Sequence, residues 1–130
     1  MGLFGIFGNK KLIDKLNKYF YEKKIELKAE NDKYSFEIVF HELGYSLFPY
    51  FKLSEASNEI SIVINVRKCD NVDFNMLNSF NLKSKYFTAK ASNNVIYLEY
   101  TTSLSNDTYK EVLNDILNSL TMLAIDIDNL

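Results

Sequence analysis

The sequence predicts an α+β protein. Its expected core is a mostly antiparallel sheet of five or six strands with helices packed on one face, in the order helix, strands, helix, two strands, helix. Three observations carry this. Ile60, Ile62, Ile64 and Val66 recur at every second position, the period of a strand with one buried face. Asn93-Asn94 separates two further strand-like runs, and Asn tolerates the positive φ that a two-residue primed turn needs at both central positions. Tyr109, Val112, Leu113, Ile116, Leu117, Leu120, Leu123, Ala124 and Ile127 fall on one broad face at the 3.6-residue helical period. Runs of strands between isolated helices indicate α+β rather than alternating α/β. The 130 residues suit one domain with one core, and no repeat, low-complexity tract or linker divides them.

Met1 to Gly8 reads MGLFGIFG. It has no basic n-region and is too short for a signal sequence, and Ile6 breaks the N-myristoylation pattern. Leu3, Phe4, Ile6 and Phe7 offer apolar surface to a membrane, a partner or the protein's own core. A glycine-softened, loosely packed terminus is the favoured expectation. The first helix is expected from Asn9 to Lys24, with Leu12, Leu16, Tyr19 and Phe20 on one stripe.

Ile25 to Glu30 then alternates as a strand, Asn31-Asp32 makes a turn, and Tyr34 to His41 alternates again. Pairing across that turn sets Leu27 opposite Phe36 and Ile25 opposite Ile38, with Glu26 and Glu37 as a mild like-charge clash. Glu42 to Gly44 is a loop, and Tyr45 to Leu53 is the next strand. Pro49 has no N–H to donate, so that strand lies at an edge or carries a bulge. Ser54 to Asn58 turns into the Ile60–Val66 strand.

The second helix is expected after Asn71, its cap, with Asp73 in the first turn and Phe74, Met76, Leu77 and Phe80 at helical spacing. In the following hairpin, Ser92 faces Val95, Ala91 faces Ile96, Ala89 faces Leu98 and Phe87 faces Tyr100. Those last six residues share one face; Tyr86, Thr88, Lys90, Tyr97, Glu99 and Thr101 share the other. Ala89 and Ala91 pack little in a strand and leave room for a helix to lie close, so their face is the covered one. Ser105, Asn106 and Asp107 each offer an N-cap to the last helix, expected over about 107–127.

Chemistry is sparse. Net charge is −2, which gives no global basic field for nucleic acid. Tyr86, Lys90 and Tyr97 form only a fragment of a basic aromatic platform, and Glu99 shares their face. His41 is the only histidine, which removes a two-histidine metal site. His-Glu-Leu-Gly at 41–44 lacks the second histidine of the zinc helix motif and reads as a turn. No phosphate-binding glycine pattern exists. Cys69, the only cysteine, allows no internal disulfide; it fits a reducing cytoplasm and an unreactive thiol. Glu99 has Thr88 opposite and Lys90 diagonal, which makes a structural pair rather than an acid–base group. No catalytic, cofactor or metal residue is assigned, and no apolar run approaches transmembrane length.

Leu77-Asn78-Ser79-Phe80-Asn81, then Lys85-Tyr86-Phe87, then the hairpin ending Val95-Ile96-Tyr97-Leu98-Glu99-Tyr100, resembles the YbjN-like family. That family carries an L-N-x-[W/F]-N helix, an aromatic strand, a short turn, an aliphatic strand and a final amphipathic helix. The resemblance covers Val72 to Ile127; the turn glycine usual in the family is replaced by Asn93-Asn94. It implies a fold similar to type III secretion chaperones, commonly paired as dimers, and a non-enzymatic protein-handling or regulatory role. Asn78 and Asn81 are also of the type that satisfies backbone groups where a helix meets a strand.

The resulting expectation is a cytoplasmic, non-enzymatic protein-binding module, chaperone- or adaptor-like, that captures a protein client and forms a homodimer. The alternative is an immunity-type or regulatory inhibitor that blocks one folded partner, with a small enzyme third. Phe48, Tyr50, Val63, Tyr86 and Tyr97 are expected on the exposed sheet face as partner-binding residues. Scattered surface aromatics explain them equally well. Met122 and Ile125 fall on the outer side of the last helix and are the expected dimer contact, unless Phe4 and Phe7 fold back over them.

Overall fold

The structure is a computed structural model; it describes residues 2–54, 58–105, 107–127 and 130, and of residues 2–11 and 124–126 the backbone alone. The chain runs α1 (Gly2–Glu22), β1 (Lys28–Glu30), β2 (Lys33–Ser35), β3 (Ile38–Phe40), β4 (Tyr45–Leu47), β5 (Tyr50–Ser54), β6 (Glu59–Lys68), α2 (Phe74–Lys83), β7 (Thr88–Ser92), β8 (Val95–Ser103) and α3 (Tyr109–Ile127). Six strands form one sheet in the order β1-β2-β5-β6-β8-β7, and every pairing is antiparallel. The fold is therefore α+β with the element order the sequence predicts.

Two hairpin turns form as their residues demand. Asn93 and Asn94 hold φ of 51° and 61°, and Asn31 and Asp32 hold 48° and 65°, the left-handed values of a primed turn. The β7–β8 register is the predicted one, with Ala89 on Leu98 and Ala91 on Ile96. The β1–β2 ladder keeps the predicted frame but stops at Lys28↔Ser35, so Leu27 and Ile25 never pair. The end of α1 explains this. Lys24 sits at φ 60°, Ile25 N–H bonds Phe20 C=O at 2.9 Å and Lys24 N–H bonds Tyr21 C=O at 3.0 Å. This is a Schellman cap, and it commits Ile25 to the helix end.

The predicted strands 34–41 and 45–53 each break in two, at Phe36-Glu37 and Phe48-Pro49. The register shows one bent hairpin: β2 on β5 and β3 on β4 keep the same frame, which brings Phe36 against Pro49. Phe36 N–H bonds Pro49 C=O at 3.1 Å. Pro49 cannot return the second bond of that pair, so the ladder fails there. Beyond the bend, β3 and β4 leave the main sheet and turn Ile38, Phe40, Tyr45 and Leu47 onto the core. Gly44, at φ 75°, closes the loop between them.

The core lies on one side of the sheet. Ile60, Ile62 and Ile64 of β6, Ile96 and Leu98 of β8, Phe51 of β5 and Ala89 of β7 are buried there. α1 brings Leu12, Leu16, Tyr19 and Phe20, with the Phe20 ring stacked on Phe51 at 5.8 Å. α3 brings Leu113, Ile116, Leu120, Leu123 and Ile127, all buried, so its predicted stripe faces the sheet. The two helices touch, because Tyr19 donates its hydroxyl hydrogen to Asn114 Oδ1 and burial pushes the Tyr19 hydroxyl pKa up. Near the end of β6 a bulge sets Val66 and Arg67 together opposite Ile96, and Arg67 donates to the Leu130 carbonyl.

Three boundaries differ from expectation. α1 starts at Gly2 rather than Asn9. Gly2, Gly5 and Gly8 each weaken a helix by about 1 kcal/mol, but no proline stands among them and an existing helix extends without a new nucleus. The cap of α2 is Asp73, not Asn71: its Oδ1 accepts from the N–H groups of Asn75 and Met76 at 3.0 and 3.3 Å. α3 begins at Tyr109, where Ser105 accepts from Thr108 N–H at 3.1 Å.

Candidate partner-binding face

A sheet covered on one side leaves the other side to water or to a partner. Every buried strand residue points to the helix side; among the described residues the opposite face buries none. The registers define this open face. One row, Lys28–Ser35–Tyr50–Val63–Glu99–Thr88, crosses all six strands. Asn65, Tyr97 and Lys90 make the row on one side of it, and Lys52, Ser61 and Thr101 the row on the other.

The open face is held together by its own polar contacts. Lys90 Nζ reaches Glu99 Oε1 at 3.5 Å, and Thr88 lies opposite Glu99, so Glu99 is a member of a cross-strand pair. Lys33 Nζ stands 4.8 Å above the Tyr50 ring. Ser61 and Thr101 hydroxyls bond at 2.9 Å. These contacts link side chains of neighbouring strands across the open face.

Tyr50, Val63 and Tyr97 stand on this face, each half-buried, with Tyr50 directly paired to Val63. Phe48 is 65% exposed at the bend, two residues before Tyr50. Tyr86 is elsewhere. Its ring meets Tyr100 at 5.4 Å and packs on the core, so it belongs to the helix side. Alternation places Tyr86 on the open face only if the strand already runs there; the ladder starts at Thr88, after a bend over Lys85 and Tyr86. The Lys85 ammonium donates a hydrogen bond to the Tyr86 side-chain oxygen, which favours the charged form and holds the Lys85 pKa above the ordinary lysine value.

Met122 is 69% exposed on the outer side of α3, and Ile125 lies outside the described side chains, as do Phe4 and Phe7. α2 exposes more apolar surface than its pattern implies. Leu77 and Phe80 are buried, but Phe74 is 65% and Leu82 88% exposed. The helix lies beside an edge strand and buries only a narrow side there. His41 is exposed in the loop between β3 and β4, and Cys69 Sγ donates to the Asn71 carbonyl at 3.1 Å. Among the described residues no group of three acidic, histidine or cysteine side chains converges, and no helix is long and apolar enough to cross a membrane.

The sequence matches no protein-family model and no curated protein.

Proposed function

We propose that this chain is a non-enzymatic protein-binding module, chaperone- or adaptor-like, that captures a protein client on the open face of its sheet. The observation that supports this is the uncovered face itself: Tyr50, Val63 and Tyr97 stand on adjacent strands within a preorganised polar array, flanked by the protruding Phe48. Rigid aromatics on a wet surface supply contact area at little entropic cost. The YbjN-like sequence pattern points the same way. The homodimer belongs to this proposal, with the exposed Met122 as its contact residue, and so does a cytoplasmic location.

One observation favours the second function, an inhibitor that caps one folded partner. The sheet edges are poor templates for an extended client: β1 is three residues long, Asn81 occupies the main-chain groups of Ala89 on β7, and the part of β6 left unpaired by β5 carries the bulge with Arg67. A broad six-stranded face without a free templating edge suits a folded surface.

A photo-crosslinking residue in place of Tyr97, in the cells that make this protein naturally, tests the face. A discrete adduct from position 97, absent when the same residue replaces the exposed Glu42 in the loop between β3 and β4, is expected. Equal labelling from both positions, or none from position 97, overturns the proposal. The cross-linked peptide separates the two functions: an extended tail marks a client, a surface of a folded domain marks an inhibited partner.

A further inference from the structure

Edge strands expose main-chain groups that template another strand, and folded chains blunt them. β7 is an edge, five residues long, with the sequence Thr-Ala-Lys-Ala-Ser. Its outward groups follow from the turn. In a two-residue hairpin the flanking pair, here Ser92↔Val95, is hydrogen-bonded, and bonded and non-bonded pairs alternate from there. Ala91 and Ala89 are therefore non-bonded pairs that aim N–H and C=O away from β8.

At Ala89 one side chain takes both groups. Ala89 N–H donates to Asn81 Oδ1 at 2.6 Å, and Asn81 Nδ2 donates to Ala89 C=O at 3.1 Å. A neighbouring strand would make this pair of bonds; here a primary amide makes them. α2 holds the amide in place. Leu77 and Phe80 are anchored in the core, and only residues 84–87 separate α2 from β7. The other edge has a different defence, since β1 is short, exposed and charged at Lys28 and Glu30. β7 lacks that defence, because its one charge, Lys90, lies on the open face against Glu99.

We propose that Asn81 is an edge stopper: by occupying the main-chain groups of Ala89, it prevents β7 from pairing with the β7 of a second copy of this chain. Identical antiparallel strands are self-complementary about a twofold axis, so release of the edge joins two sheets into one.

Sedimentation equilibrium over a concentration series tests this, with wild type, Asn81→Leu, Asn81→Asp, and Asn81→Leu combined with Ala91→Pro. The proline removes an outward N–H that serves no β7–β8 bond, so it blocks strand addition and spares the hairpin. Asn81→Leu is expected to move with rising concentration towards twice the mass of the wild-type species. Adding Ala91→Pro is expected to restore the wild-type mass. Asn81→Asp keeps an acceptor for Ala89 N–H, frees Ala89 C=O, and is expected to shift in the same direction to a smaller extent. Wild-type mass for Asn81→Leu at every concentration, with folding shown by circular dichroism, reduces Asn81 to a stabilising contact and overturns the proposal. Association that survives Ala91→Pro overturns it too, since another surface is then responsible. If Asn81→Leu does not fold, the mass of Asn81→Asp decides.

Discussion

Tyr50 and Phe51 are neighbours on β5 that point to opposite faces, so truncating each to alanine weighs the two faces against one another. Phe51 is 1% exposed, and its ring lies 5.8 Å from Phe20, 5.2 Å from Tyr34 and 6.4 Å from Phe36. Phe51→Ala removes a buried ring and leaves a cavity among aromatics that cannot all collapse into it, which costs about 3–5 kcal/mol. Tyr50→Ala loses the Lys33 contact, worth about 0.5–1 kcal/mol at an exposed site. It also loses the cross-strand pair with Val63, worth about 0.2–1 kcal/mol. The expected cost is thus about 1–2 kcal/mol, and the gap between the two variants about 1–4 kcal/mol. Urea unfolding followed by far-ultraviolet circular dichroism measures both, provided the slopes match wild type. A Tyr50→Ala cost equal to or above that of Phe51→Ala would mean that the open face is covered, and the assignment of faces would fall.

Three further substitutions probe local claims by the same assay. Lys24→Gly relieves a left-handed residue at the α1 cap and is expected to raise stability by about 0.5–1 kcal/mol; a loss instead would show that the lysine side chain contributes there. Ala89→Leu crowds a buried position opposite Leu98 and is expected to cost about 1–3 kcal/mol, whereas an unchanged urea midpoint would place that side chain in open space. Asp73→Ala removes the side-chain acceptor for Asn75 and Met76 and is expected to cost about 0.5–2 kcal/mol, with no loss if Asn71 takes over the cap.

Much of the fold was legible because it rests on short-range rules. Asn93-Asn94 needs no long-range contact to set a turn, and once the turn stands the β7–β8 register follows. The Ile60–Val66 alternation and the α3 stripe likewise report burial directly. Several misplacements arise where two elements compete for one segment. Ile25 alternates like a strand residue, but the Schellman cap claims it first. Strands 34–41 and 45–53 look continuous until Phe36 and Pro49 become partners, and Pro49 cannot complete that pair. Tyr86 follows alternation only if the strand begins early; its ring gains more against Tyr100. Of the residues expected on the open face, Tyr50, Val63 and Tyr97 followed from strand parity. The exposure of Phe74 and Leu82 did not, because helical periodicity carries no information about how narrow the covering surface is. The double bond of Asn81 to Ala89 had a partial signal, an asparagine at the end of a helix close before a strand.

The central claim is that the open face binds the partner, and the affinity of the cross-linked partner for the variant Phe48→Ser, Tyr50→Ser, Tyr97→Ser tests it most directly. Partner binding by titration calorimetry should weaken by about tenfold or more, since a contact centre of this kind is worth upwards of about 1.4 kcal/mol. Circular dichroism should show the variant still folded, because all three side chains lie outside the core. An unchanged dissociation constant in a folded variant would contradict the account and move the binding surface off the sheet.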